Sequence, residues 1–174
     1  MENQKSSLKQ IALNYGLLLA LVSILLLVVM YVANISQNWM LSTLGFIITI
    51  YLLFTAIKTF KNGNGGFLSL GEALKVGLAT ALIAGIVSAF YSYIHYTFIY
   101  PEYIDIVINE ARDQIAEQSQ GMTEEQMEQA IGFTKSFTTP FMMSTFSLIG
   151  SLFFGFIISL VSGLILKRTD PNQM

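Results

Sequence analysis

The sequence predicts an all-α polytopic membrane protein with four transmembrane helices and an acidic helical hairpin between the third and the fourth. Three observations carry that prediction. Only 11% of the 174 residues are charged and 53% are hydrophobic, whereas soluble domains average about 25% charged residues. Four apolar runs hold no acid or base away from their ends, and each is long enough to span roughly 30 Å of hydrocarbon. The remaining charges are segregated: the loops around the spans are basic, and one 39-residue segment, 101–139, is acidic. Residues 1–174 read as a single membrane domain.

The first span is 11–33, preceded by Lys5 and Lys9. A secretory signal has a shorter apolar core, about 7–15 residues, and a small-residue cleavage site; neither is present, so the run reads as an uncleaved helix. Asn14 and Ser23 lie within it and can be satisfied by backbone or neighbouring helices. Asn34–Asn38 reads as a tight polar turn, which makes the first two helices antiparallel neighbours. Asn34-Ile35-Ser36 matches a glycosylation sequon, but it lies too close to the membrane to be a good acceptor. Trp39 opens the second span, 39–57, at the depth where Trp favours the interface.

Lys58 and Lys61 close that span, and Asn62–Gly66 (NGNGG) predicts a non-helical connection. Ser69 with Glu72 forms an S-x-x-E capping box, and Glu72 suits the positive end of the helix dipole. Lys75 reads as a snorkelling interface residue. The third span is 74–98. On it Ala73, Gly77, Ala81, Gly85 and Ala89 recur every fourth residue, which places small side chains on one face. Such faces let membrane helices approach closely. The far end is aromatic: Phe90, Tyr91, Tyr93, Tyr96, Phe98 and Tyr100, with His95 among them. An interfacial belt explains the set; Tyr91, His95 and Tyr96 also make a candidate interface or lipid site.

Residues 101–139 hold eight acids and two bases, Arg112 and Lys135. Pro101 suits a first helical position. Ile104, Ile108, Ala111 and Ile115 mark an apolar face, Ser119-Gln120-Gly121 a stop, and Thr123 with Gln126 a second capping box. Met127, Ile131, Thr134 and Phe137 give a weaker stripe. The expectation is two short antiparallel helices over the bundle mouth. The fourth span, 141–166, follows Pro140. Its Ser147, Ser151, Gly155, Ser159 and Gly163 repeat the four-residue spacing, so the two small-residue faces are expected to pack on each other or on a partner.

Orientation follows from the Lys and Arg beside the spans. Seven of the nine lie in the N-terminal segment, the 58–75 connection and the tail. Both termini are therefore expected in the cytoplasm, with the acidic hairpin periplasmic and the protein multi-pass in a bacterial inner membrane.

Chemistry is sparse. The chain has no Cys and one His, so thiol chemistry and a Cys- or His-based metal centre are unsupported. No Walker loop, dinucleotide fingerprint, nucleophile elbow or zincin motif occurs. No Asp, Glu or Arg sits mid-span, where proton-coupled transporters usually hold one. No basic patch supports nucleic-acid binding. No catalytic residue, metal site or cofactor is expected.

Three stretches carry a resemblance: NYGLLLALVSILLLVVMY, AIKTFKNGNGGFLSLGEALKVGL and YSYIHYTFIYPEY. Phe67 before Gly71, the helix start at Gly77, the Tyr-rich exit and the Pro101-Glu102 pair are its marks. From Asn14 to about Leu166 the chain resembles the bacterial membrane family catalogued as domain of unknown function 4199. The resemblance implies a four-span inner-membrane protein and carries over no activity or catalytic residue.

The reading favoured by the sequence is a non-catalytic accessory or scaffold subunit of a cell-envelope membrane complex, set in the lipid bilayer with a membrane-protein partner or as a homo-oligomer. A small-solute transporter or channel is the alternative, with Ser23, Thr49, Thr55, Thr80, Ser88, Ser151 and Ser159 lining a path. A lesser alternative binds lipid or a lipid-linked substrate at the outer aromatic cluster.

Overall fold

A computed structural model describes residues 7–35, 38–118 and 123–169. The described residues are helical, with one isolated backbone bridge and no strand. The helices are α1 (Leu8–Val32), α2 (Trp39–Gly63), α3 (Leu70–Ile94), α4 (Glu102–Gln118), α5 (Glu124–Phe137) and α6 (Pro140–Leu166), with a π-helical turn at His95–Ile99. α1, α2, α6 and α3 with its π turn are each long and apolar enough to cross a membrane. Ser36 of the sequon and the expected stop at residues 119–121 lie outside the described residues.

Local sequence explains most helix ends. Asn38 caps α2 by accepting from the backbone N–H groups of Met40 and Leu41. The capping boxes at Ser69–Glu72 and Thr123–Gln126 both form. Thr139 caps α6 through Met142 N–H, with Pro140 in the first turn, where its missing N–H leaves no gap.

Two stretches differ from expectation. α2 does not end at Ile57 but continues through Asn62 and Gly63. The glycines act one step later: Gly65 and Gly66 take φ of +68° and +83°, and the Gly66 N–H reaches back to the Lys61 carbonyl at 2.9 Å. That six-to-one bond is half of a Schellman stop, which glycine permits without steric penalty. The third span, expected to be α-helical to Phe98, leaves α geometry after Ile94. Pro101 disfavours helical backbone at Tyr100, which sits at φ −138°. The helix finishes in a wide turn closed by Tyr100 N–H to the His95 carbonyl at 2.7 Å.

α3 is the centre of the bundle, with α6 on one side and α1 on the other. Its small-residue row meets that of α6 in antiparallel register. A Cβ on Gly77 would strike Ser159, one on Gly155 would strike Ala81, and one on Gly163 would lie 2.8 Å from the Ala73 Cβ. A Cβ on Gly85 would lie 3.1 Å from the Ser151 side chain, and Ser151 Oγ donates to the Ala81 carbonyl at 2.9 Å. Each step of four along α3 is matched by four back along α6. The row then opens: Ala89 is half-buried and Ser147 exposed. On the other side, Gly16 of α1 lets that helix lie against Thr80 and Ile83, a contact for which a lone glycine gave no periodic signal.

The core sits at the end where α1 and α3 begin and α2 and α6 finish. Ile11, Ala56, Ile57, Leu68, Ala73 and Val76 form one buried cluster there. Leu19, Leu52, Leu53, Ala84 and Ile158 continue it inward. Tyr15 Oη and Thr59 Oγ1, 3.0 Å apart, tie α1 to α2. The same end is closed by a backbone clasp between Leu68 and Arg168, with two bonds of 2.9 Å, and the Arg168 guanidinium lies 5.6 Å over the Phe67 ring.

Candidate functional site

The opposite end is built differently. Beyond Ala20, α1 has no buried residue, and α2 has none before Leu52. The space between them is a cavity of about 290 Å³. Its wall deeper in the bundle is aliphatic, with Val22, Leu26 and Leu27. Its other rim is aromatic and polar, with Tyr31, His95, Tyr96, Tyr100 and Tyr103.

The π turn assembles that rim. A π turn pairs residues five apart through the backbone, and the His95 and Tyr100 rings lie edge-on at 6.3 Å. Tyr31 from α1 meets His95 edge-on at 5.3 Å, and Tyr96 does the same at 5.3 Å. Tyr96 stacks on Tyr103 of α4 at 4.9 Å. The aromatic set read from sequence therefore divides in two. Phe90, Tyr93 and Phe98 are exposed, as suits an interfacial belt. Tyr91, His95 and Tyr96 come together, with Tyr91 at 5.8 Å from His95; Tyr91 lines not this cavity but a smaller one of about 100 Å³ that shares Ser23 and Leu27 with it. Tyr31, Tyr100 and Tyr103 were not singled out as site residues. Tyr31 carried a signal, an amphipathic aromatic closing the first span at the same depth.

His95 is only 1% exposed, and its Nδ1 has no hydrogen-bond partner. Buried polar atoms in native proteins almost always have one. Tyr103, on α4 beyond the span, has its phenol pushed above the usual range by burial first, then by the Glu110 carboxylate and Tyr100.

A second cavity, about 200 Å³, adjoins the first at Ser23 and Thr49 and runs between α1, α2, α3 and α6 past Leu19, Leu53, Gly85 and Phe154. Of the hydroxyls proposed to line a polar path, Ser23, Thr49, Ser88 and Ser151 do line it. Thr55 is half-buried and lines neither cavity, and Thr80 and Ser159 are sealed in the core. Ser23, Thr49, Thr55, Thr80 and Ser159 all donate to a carbonyl one turn back on their own helix. Their polarity is thus largely spent on the backbone. Among the described residues, no group of three or more His, Cys, Asp or Glu side chains converges.

Helix architecture and cavity together define a four-span helical membrane protein with an aromatic-rimmed recess at one end. More particularly, the chain belongs to the family described as Protein of unknown function (DUF4199), whose profile matches residues 14–168. No curated protein and no solved structure gives a significant match.

Proposed function

We propose that the protein is a non-catalytic accessory subunit of a bacterial cell-envelope complex. It sits in the inner membrane with both termini cytoplasmic and presents α4 and α5 on the periplasmic side to a partner protein. One observation carries this reading: α5 has no buried residue, although it bears an apolar stripe. Phe133 is 68% exposed; its ring lies 4.6 Å from Phe137, which in turn lies 5.9 Å from Phe146 of α6. Aromatic clusters of this kind anchor protein interfaces.

The surrounding charge selects the partner. Eight acids against two bases disfavour the anionic headgroup surface, which attracts basic helices instead. They favour a protein with an apolar groove and a basic rim. A photo-crosslinking residue at Phe133, in native-host membranes, is expected to give one adduct of discrete size, identified by mass spectrometry and lost on Phe137→Asp. Purification in mild detergent with no adduct and no co-purifying protein would overturn the reading. Solute flux through proteoliposomes of the chain alone would replace it with a channel.

A further inference from the structure

We infer that the open half of the bundle binds a single-tailed, uncharged amphiphile with a hydroxyl head, a long-chain alcohol in chemical class. The head sits beside His95 and the tail extends past Ser23. This site is separate from the α4–α5 docking reading and does not depend on it.

Three features identify the ligand. The first is the unpaired Nδ1 of His95, a polar atom 99% of whose residue is buried on the wall of the first cavity. A hydroxyl both donates and accepts, so it satisfies that nitrogen in either imidazole tautomer once a small turn of the ring brings Nδ1 to the cavity. The second is charge. Among the described residues, no Asp, Glu, Lys or Arg lines either cavity. A phosphate or carboxylate head would therefore be desolvated without a counter-charge, whereas a neutral head meets tyrosine rings and hydroxyls. The third is shape. Polarity falls from the tyrosine rim to Leu26 and Leu27, and the two cavities share Ser23 and Thr49. The Ser23 hydroxyl already donates to Leu19 at 3.0 Å and that of Thr49 to Gly45 at 2.8 Å, so the junction leaves no donor unmet beside a hydrocarbon chain. From His95 down to Gly85 the path is about 15 Å long, at roughly 1.5 Å per residue of helix. A cavity of about 290 Å³ is at the lower edge of ligand pockets, about 300–1,000 Å³, which suits one tail and excludes two.

The test uses the full chain in detergent, with hexadecanol carrying a mid-chain diazirine as probe. Labelling is expected to saturate at one adduct per chain, with crosslinks mapping to the Leu19–Leu27 face of α1 and to α3 near Gly85. His95→Phe is expected to weaken labelling at least tenfold without lowering the melting temperature, because it removes an unpaired buried atom. Ser23→Trp, which blocks the junction, is expected to abolish it and serves as the second variant should His95→Phe not fold. Unlabelled hexadecanol is expected to compete at least tenfold better than hexadecanoate or phosphatidylethanolamine. Three results would each overturn the proposal. They are unsaturable labelling spread over outward faces, labelling unchanged in a folded variant, or equal competition by hexadecanoate or the two-tailed lipid.

Discussion

At one end of the bundle, Leu53, Ala56, Ile57, Ala73 and Val76 are wholly shut off from solvent. At the other, the stretches 21–32 of α1 and 39–51 of α2 contain no buried residue, and a cavity stands between them. Hydrophobicity does not separate the two ends, since both are apolar. Side-chain size and backbone geometry do. Where α3 and α6 alternate Gly, Ala and Ser, the backbones close until a single added methyl would collide. Where α3 carries Tyr, His and Phe and slips into a π turn, a cavity stands between α1 and α2. In a bilayer, lipid tails compete equally for any apolar face, so close packing rather than hydrophobicity decides which helices associate. The tight end holds the structure; the open end offers room.

That contrast can be broken most severely at Gly77. Its Cβ would fall inside the Ser159 side chain, within the best-packed seam. Gly77→Leu is expected to destabilise the detergent-solubilised protein by about 3 kcal/mol or more, the upper range for overpacking a core, read as a lost or sharply lowered thermal transition. Gly155→Leu and Gly85→Leu, which strike Ala81 and Leu148, follow in the same assay. Gly150, on the same helix as Gly155, would meet nothing within 4 Å and borders the second cavity. Gly150→Leu is expected to be tolerated, with stability unchanged or raised by up to about 1 kcal/mol as helix propensity improves. Equal damage from Gly150→Leu and Gly155→Leu would erase the distinction between the two ends.

Smaller effects sharpen it. Ser151→Ala removes the inter-helix bond to Ala81 and is expected to lower stability by about 0.6–1.7 kcal/mol, measured by the same melt. Arg168→Ala removes an exposed cation–π contact with Phe67, worth about 0.5–1 kcal/mol; its backbone clasp remains. The smallest effect is at the open end. Tyr103 keeps its proton longer in the folded chain than in the unfolded one. The unfolded state therefore deprotonates first as pH rises past about 10, and stability falls from there through the raised folded value. A difference ultraviolet titration of Tyr103→Phe against the parent is expected to show one late phenol, and the variant to resist alkali slightly better.

The tight end was legible in the sequence because its cause is periodic. Small residues every fourth position, from Ala73 to Gly85 and from Ser151 to Gly163, are a one-dimensional trace of a three-dimensional seam, and Ser69 with Glu72 marked where α3 starts. The ends of those rows are less closed: Ala89 and Ser147 keep the period, yet Ala89 is half-buried and Ser147 exposed. Gly16 was illegible because one glycine has no period. The cavity was only half legible. Tyr91, His95 and Tyr96 stood out as a polar aromatic cluster, but Tyr31 and Tyr103 join it from other helices, and the π turn that gathers them ends where Pro101 disfavours helical backbone at Tyr100. The clasp between Leu68 and Arg168 left no trace, since main-chain pairing across distant segments has no residue code.

The α3–α6 seam also has a consequence in time. Seventy residues separate Ala81 from Ser151, and α4 and α5 lie between them. During synthesis α3 therefore enters the membrane with its row of small residues complete and its matching helix not yet made. Until α6 arrives, that row faces α1 or lipid, and a chain interrupted before residue 150 would keep it uncovered. The seam that holds the finished protein together is the last one its biogenesis can close.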